Sequence, residues 1–243
     1  MDKQNKMVIH FEKYKKQDIQ RLARHNLRMN TFYRNENIDL SESDKNIYFI
    51  RPEDNNLKRA VLTEVDERVT GRITKQSTYM TECIISAGKS FFEGLDEAEE
   101  IRFFKLSLDY LAQRFGRDNI KLAVVHRDEK GNTGEQSVKG GQSHMHVDII
   151  PIVDGRLTAK ELLNRQALIE IQSELPQFLS EQGFDIVRGE KGSKATHMRM
   201  DDFKREADKQ KKALVNEYNA LVDKYNLLIS AVEEAEKNIT IER

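Results

Sequence analysis

The sequence has one cysteine, no long apolar run and almost no excess charge of either sign. Each of these absences excludes some classes of protein. Cys83 cannot form an internal disulfide, which favours a reducing, cytoplasmic location. No apolar stretch approaches the about 18 residues of a membrane-spanning helix, so we expect no membrane insertion. The first residues lack the apolar core and cleavage site of a signal peptide, so we expect none. The 243 residues, 33% of them charged, suffice for one large domain or a domain with an appendage.

The net charge of −1, from 40 Lys and Arg against 41 Asp and Glu, argues against a broad basic platform for nucleic acid. The charge is uneven, however, because residues 1–80 carry an excess of basic residues. A helix is predicted over residues 15–30, and it carries Arg21, Arg24, His25 and Arg28. We therefore expect the N-terminal third to supply contacts to DNA phosphates, through Arg21, Arg24 and Arg28.

Three of the six histidines fall within the stretch between Val124 and Pro151. His144 and His146 are spaced by two in a β-branched run, so on a strand they share one face while Met145 takes the other. His126 ends the preceding apolar run, and pairing of the two strands would bring it to the same face. Three nitrogen ligands leave a position for water or a substrate oxygen, as a catalytic metal requires. The alternative is an exposed strand whose histidines bind nothing.

Further strands and helices are predicted from the spacing of apolar residues and from the residues that typically begin or end such elements. Strands are predicted at residues 7–11, 47–50 and 78–86, and helices at residues 57–74, 90–115 and 158–182. Gly116 is expected to end the helix over residues 90–115. Thr158 and Glu161 form a capping-box pattern at the start of the last, and Pro176 is expected to kink or restart it.

The last 44 residues have a different pattern, since apolar residues recur every seven positions at Ala207, Leu214, Leu221, Leu228 and Ala235. A second series lies three residues before the later members, at Tyr218, Tyr225 and Val232, and continues to Ile239. The two series predict a coiled-coil seam of about four heptads on one continuous helix, and hence a homodimer. The alternative is a lone amphipathic helix that folds back on the domain. We therefore predict two parts: a domain over residues 1–199 and a C-terminal coiled-coil helix over residues 200–243.

The combined motifs resemble those of the MobV (Mob/Pre) family of plasmid mobilisation relaxases, within the HUH endonucleases. The residues that carry the resemblance are HRDE, which begins at His126, and SHMHVDIIP, which begins at Ser143. RHNLR, which begins at Arg24, matches the family's His-Asn-x-Arg motif. The similarity spans about residues 7–200. Two features depart from the family pattern: the spacer, Lys130 to Ser143, is longer, and Ser143 stands where the family usually has proline.

The resemblance implies an α+β fold with a central antiparallel sheet flanked by helices. It also implies an enzyme that nicks one DNA strand at a plasmid origin of transfer and stays attached to the 5′ phosphate. His126, His144 and His146 would hold the metal, and Glu129 would be a fourth ligand or the group that orients one. The ligands do not choose among Mn²⁺, Zn²⁺, Ni²⁺ and Co²⁺, whereas the resemblance favours Mn²⁺ or Mg²⁺ in use.

His25 is the nucleophile that the resemblance implies, with Arg28 beside it to hold the phosphate. The residues alone would favour an exposed helix histidine, and Tyr33 and Tyr48 are rivals because most HUH enzymes use tyrosine. Two other functions remain open from the sequence: a related replication initiator, and a non-catalytic DNA-binding dimer that represses its own promoter.

Overall fold

The structure, a computed structural model, describes residues 5–129, 143–189 and 200–241, with the side chains of residues 209–229 and 231 in the last range. The chain separates into two compact units, Met1–Glu190 and Lys191–Arg243. The spacer Lys130–Ser143 lies outside the described residues except for Ser143, and so does the boundary expected at residue 199.

A five-stranded antiparallel sheet forms the centre of the first unit. Its strands are β1 (Met7–Tyr14), β2 (Ile47–Ile50), β3 (Met80–Ala87), β4 (Ile120–His126) and β5 (His144–Ile149), in the spatial order β1-β3-β5-β4-β2. Two short strands, β6 (Ile152–Val153) and β7 (Arg156–Leu157), form a separate hairpin. The predicted sheet is thus confirmed, and the two histidine-bearing strands pair directly with His126 opposite His144.

Helices cover both faces of this sheet. They are α1 (Ile19–Asn26), α2 (Leu57–Arg68), α3 (Lys89–Glu93), α4 (Glu97–Phe115), α5 (Ala159–Leu162) and α6 (Arg165–Glu181). One face carries the larger apolar core, which joins Met145 and Val147 of β5 to Phe103 and Phe104 of α4. The other face packs against α1 and α2 around a smaller core. Alternation along β5 places Met145 in the larger core and His144 and His146 on the α1 side, as predicted.

Two predicted helices prove to be interrupted, and in each case a polar cap explains the break. The helix predicted over residues 90–115 ends after α3 and restarts at Asp96, whose side chain accepts from the Glu99 amide. The helix predicted over residues 158–182 restarts at Asn164, whose side chain accepts from the Ala167 amide. The restart expected at Pro176 is wrong, since α6 continues through it.

The structure also tests three predictions about where helices begin and end. Thr158 makes no capping hydrogen bond with its side chain. Gly116 does end α4, with a φ of 87° that favours glycine. The helix α1 is shorter than predicted, because Leu27 leaves the helical region and Arg28 adopts a φ of 50°.

The second unit contains α7 (Met200–Ile241), a helix of 42 residues. The predicted seam residues are exposed wherever their side chains are described: Leu214 67%, Tyr218 65%, Leu221 67%, Tyr225 64% and Leu228 65%. One continuous helix with an exposed seam therefore matches the predicted pattern. None of the described helices is long and apolar enough to cross a membrane.

Candidate metal centre and active site

The three predicted ligand histidines come together on the face of the sheet that α1 covers. The ring centroids of His126 and His144 are 5.3 Å apart, those of His126 and His146 4.7 Å, and those of His144 and His146 4.9 Å. His126 and His146 are almost fully buried, whereas His144 is partly exposed. Strand pairing thus supplies the three-imidazole cluster that the spacing predicted.

Two of these rings have a buried nitrogen that makes no hydrogen bond. His126 donates from Nε2 to the Asn26 carbonyl at 3.0 Å, and His146 donates from Nδ1 to Glu82 at 2.6 Å. The opposite nitrogens, His126 Nδ1 and His146 Nε2, are buried without a hydrogen bond. A buried nitrogen lone pair that lacks a donor is the arrangement a metal ligand requires, so the cluster fits a divalent metal.

Glu129 extends the ligand set. Its Oε1 lies 3.7 Å from His126 Nδ1, 3.8 Å from His144 Nε2 and 3.6 Å from His25 Nε2. Potential ligand atoms of His126, Glu129 and His144 all lie within 4.8 Å of one another. Burial would raise the pKa of Glu129, but His144, His25 and Arg28 together hold it below its ordinary value, so the carboxylate is ionised.

Arg28 holds this carboxylate in place. Its Nη2 is 2.7 Å from Glu129 and 2.7 Å from Asp128, and its Nε donates to the other Asp128 oxygen at 2.7 Å. The side chain is only 4% exposed. The guanidinium that was expected to contact a DNA phosphate thus pairs with two carboxylates. Arg28 follows the end of α1, and its Nη1 donates to the His25 carbonyl at 2.8 Å.

His25 lies on α1 with its ring against the cluster. The ring centroid is 5.5 Å from that of His126 and 5.6 Å from that of His146, and about a third of the side chain is exposed. Burial lowers the pKa of His25 to about 4, because the attraction of Glu129 offsets it only in part. The ring is therefore neutral at neutral pH and retains a nitrogen lone pair.

The rival tyrosines have other partners. The Tyr33 hydroxyl donates to the Arg24 carbonyl at 2.7 Å, and its ring is 6.1 Å from that of His25. Tyr48 packs under the Arg51 guanidinium at 4.2 Å. A ring nitrogen of His25, in contrast, lies within 4.8 Å of ring nitrogens of His126 and His146.

Sequence reasoning missed the polar residues that support the site. Glu82, Asn26 and Asp148 are buried below the histidines, and Asp128 accepts from Ser43 and Asn46 as well as from Arg28. One signal was available for Glu82, which is a lone charge in the otherwise apolar strand MTECIISA. Burial and the neighbouring Glu82 raise the pKa of Asp148 well above its ordinary value, so this second carboxyl is neutral.

The other predicted DNA-binding residues, Arg21 and Arg24, are exposed on α1. Arg24 also lines a shallow groove next to His25, together with Gln20, Met29, Asn30, Thr31 and Phe32. Phe32 is 76% exposed and Met29 is 49% exposed. An exposed aromatic ring beside a basic residue is a common feature of surfaces on which unpaired bases stack.

The cluster predicts one divalent metal ion per chain, with His146 as a required ligand. His146→Ala should weaken Mn²⁺ binding by more than about 100-fold, since the loss of a group that merely supports a ligand already costs about 10- to 100-fold. Titration calorimetry with Mn²⁺ measures this, and circular dichroism checks that the fold is retained. His10→Ala is the matched control, because His10 lies two strands away on β1. Equal metal content in wild type and His144→Ala/His146→Ala would contradict the site.

Comparison with known proteins agrees with this geometry. The Mob_Pre family, described as plasmid recombination enzyme, matches residues 3–205. A plasmid recombination enzyme of Lactiplantibacillus plantarum is 35% identical over 208 residues, which cover 84% of this chain and 55% of the relative. One from Bacillus thuringiensis is 32% identical over 202 residues, which cover 83% and 43%. The chain spans about half the length of the curated relatives it matches.

Solved structures show the same fold. A Mn-bound MobM relaxase domain in complex with plasmid pMV158 oriT DNA is 30% identical, with a TM-score of 0.75 over 83% of this chain and 98% of that one. A complex of the same domain with 26 nucleotides of oriT DNA gives a TM-score of 0.66 at 27% identity. The family match over most of the chain, the shared fold and the histidine cluster lead to one conclusion: the chain belongs to the Mob_Pre family of plasmid recombination enzymes.

Proposed function

We propose that the chain is the relaxase part of a plasmid mobilisation protein, which nicks one strand of origin-of-transfer DNA by transesterification. The observation that carries this proposal is the placement of His25 against the metal cluster, with Nε2 3.6 Å from Glu129. A neutral imidazole at that point can attack a phosphorus atom held at the metal face. The MobM relaxase domain, which shares the fold, is bound to oriT DNA and Mn, and a cytoplasmic location suits both this activity and the buried free Cys83.

The proposed reaction exchanges one ester bond for a phosphoramidate. His25 forms a bond to phosphorus while the bond from phosphorus to the 3′ oxygen breaks. The imidazole loses its N–H proton, which balances the proton that the 3′ oxygen takes as it leaves as a hydroxyl, and the 5′ phosphate stays on His25. Arg28 fixes Glu129, and Glu129 faces both His25 and the ligand histidines.

The metal would be held by His126, His144 and His146, with Glu129 beside them. When bound, a divalent cation offsets the negative charge that builds on the nonbridging phosphate oxygens. Mn²⁺ is the first choice, because the related domain contains it. Mg²⁺, Zn²⁺, Ni²⁺ and Co²⁺ are the alternatives to be compared in the same nicking assay.

The nucleophile is tested by the chemistry of the adduct. Wild type with Mn²⁺ and a supercoiled oriT plasmid should give a covalent adduct that mild acid destroys, since a phosphoramidate to imidazole is acid-labile. His25→Ala should reduce adduct formation by at least ~10³-fold and still bind the DNA, because binding rests mainly on phosphate contacts elsewhere. Tyr33→Phe and Tyr48→Phe are the matched controls and should retain the adduct. An acid-stable adduct that disappears with either tyrosine change would overturn the assignment of His25.

We further propose that the substrate strand crosses the groove beside His25. Arg21 and Arg24 would contact phosphates, and Phe32 would stack on an unpaired base. Arg28 is omitted from these contacts, because both of its carboxylate partners already occupy it. Tyr33 links the groove to His25, since its hydroxyl donates to the Arg24 carbonyl and its ring centroid is 6.1 Å from that of His25.

Phe32→Ala should weaken binding of a single-stranded oriT oligonucleotide by about 5- to 150-fold, because a base stacked on an aromatic ring contributes about 1–3 kcal/mol. Phe32→Tyr keeps the ring and should bind as wild type does.

Arg24→Ala should lower the slope of log affinity against log salt concentration by about 0.7, because one phosphate contact is lost. Lys105→Ala removes an exposed charge on α4 and should leave the slope unchanged. Fluorescence anisotropy at several salt concentrations measures both effects, and wild-type binding by Phe32→Ala would remove the stacking site.

The third part of the proposal is homodimerisation through α7. The seam residues alternate at spacings of four and three, and about two thirds of each described side chain is exposed. A row of exposed leucine and tyrosine on a helix of 42 residues is stabilised by burial against a second copy. Leu227 is equally apolar and 70% exposed, but it lies off the seam.

The neighbouring leucines Leu227 and Leu228 therefore provide a matched pair of variants. Leu221→Lys/Leu228→Lys should convert the dimer to a monomer, because it places charges in the apolar seam. Leu227→Lys should remain dimeric. Light scattering at tens of micromolar protein gives the mass, and nicking should persist in both variants since the candidate catalytic residues precede residue 200. A monomeric wild-type chain would refute the dimer.

A further inference from the structure

Behind the metal cluster lies a set of buried polar side chains that the proposed reaction does not use. Glu82 is 2% exposed, Tyr14 is 6% exposed, and Asn26 and Asp148 are fully buried. They sit on the face of the sheet where α1 and α2 pack around an otherwise apolar core. Burying such groups costs free energy unless they are hydrogen-bonded, so their partners indicate what they hold in place.

Glu82 holds the ligand His146. Its Oε1 accepts from His146 Nδ1 at 2.6 Å, while the Tyr14 hydroxyl donates to its Oε2 at 3.1 Å. Strand pairing explains the closeness, because Glu82 is opposite Asp148 and lies one diagonal step from His146. The hydrogen bond places the proton of His146 on Nδ1, and the Nε2 lone pair then points into the cluster.

Asn26 joins three strands to the helix of the nucleophile. Its side-chain nitrogen donates to Glu82 at 2.8 Å on β3 and to Asp148 at 3.1 Å on β5. Its backbone carbonyl accepts from His126 Nε2 at 3.0 Å on β4. Asn26 follows His25 directly in the chain, so any shift of these contacts also shifts the imidazole of His25.

We infer that Glu82 and Asn26 are positioning residues with separate tasks: Glu82 orients the metal ligand His146, and Asn26 sets the position of His25 relative to the metal ligands. The second task rests on the proposed function, whereas the first rests only on metal binding. The two tasks separate because Asn26 holds His126 through its backbone, which a side-chain substitution leaves in place.

Substitutions of Glu82 and of Asn26 should therefore affect different properties of the protein. Removing the charge of Glu82 weakens the basicity and orientation of one ligand, which lowers metal affinity. Replacing the Asn26 side chain removes its bonds to Glu82 and Asp148, which misplaces the attacking nitrogen of the adjacent His25, while the Asn26 backbone carbonyl still accepts from His126. A displacement of about 1 Å at a reacting group costs up to about 100-fold in rate.

The experiment measures Mn²⁺ affinity by calorimetry and the single-turnover rate of adduct formation at saturating Mn²⁺, on the full chain. Glu82→Gln, which keeps the volume, should lose about 10- to 100-fold in Mn²⁺ affinity and recover most of its rate at saturation. Asn26→Ala should bind Mn²⁺ within about threefold of wild type and form the adduct at least about tenfold more slowly. If Asn26→Ala does not fold, Asn26→Leu, of similar volume, is measured in its place.

Asn119→Ala is the matched control, because Asn119 is also a buried asparagine and bonds to the Phe115 and Ile152 carbonyls far from the cluster. It should lose stability and keep both the affinity and the rate of wild type. Wild-type affinity in Glu82→Gln would overturn the first task, and a wild-type rate in Asn26→Ala would overturn the second. A wild-type chain that binds Mn²⁺ and forms no adduct would instead refute the proposed function and the task of Asn26, and leave the affinity of Glu82→Gln as the test of Glu82.

Discussion

The active face depends on the buried ion pair between Arg28 and Asp128, which joins residues 100 positions apart in the sequence. Neither side chain is more than 4% exposed. Asp128 also accepts from Ser43 at 2.6 Å and Asn46 at 2.9 Å, so the segment before β2 is fixed by the same carboxylate. A buried pair of this kind adds little net stability, but loss of one partner typically costs about 3–5 kcal/mol. The main effect of the ion pair is to hold α1, β4 and the segment before β2 in one arrangement.

Arg28 reaches this position only because the backbone turns. Its φ of 50° is uncommon for a residue with a side chain and costs free energy relative to the helical conformation. The turn ends α1 and directs the guanidinium towards the end of β4, where one nitrogen contacts both Asp128 and Glu129. Strain at Arg28 is therefore offset by the hydrogen bonds that hold Glu129 among three imidazoles.

The two faces of the sheet have different roles: one carries the larger apolar core, and the other carries the candidate active site. The face towards α4 and α6 is apolar and carries the larger core, with an aromatic cluster around Phe103. The opposite face carries the histidines and their buried partners, and each of its polar groups requires a hydrogen bond or a metal. Because β4 and β5 lie inside the sheet, with β2 and β1 at its edges, the ligands are held by ladders on both sides.

Local patterns predicted much of this architecture. The alternation of His144, Met145 and His146 gave the correct face, and the β-branched runs gave the paired strands. The breaks before α4 and α6 escaped prediction because the apolar periodicity continues across them and only the caps at Asp96 and Asn164 reveal them.

The supporting contacts could not be read from the sequence, because they join distant segments. Glu82 and His146 are 64 positions apart, and Asn26 and Asp148 are 122 apart. Neither pair leaves a periodic signal. The Asn in RHNLR was part of the family motif, yet its three contacts appear only when α1 lies on the sheet.

The two ends of the long spacer are each fastened where the described chain resumes. Glu129 pairs with Ile38 through an isolated bridge, and the Ser143 carbonyl accepts from the Ser86 hydroxyl at 2.9 Å. His126 and His144 are already paired at the base of this connection. The strand pairing therefore fixes the register of the candidate ligands at the base of the spacer, and the entropic cost of closing a loop grows only slowly with its length. The position of His126 opposite His144 is thus set by the ladder between β4 and β5, and a longer connection between these strands adds little to the free-energy cost of folding.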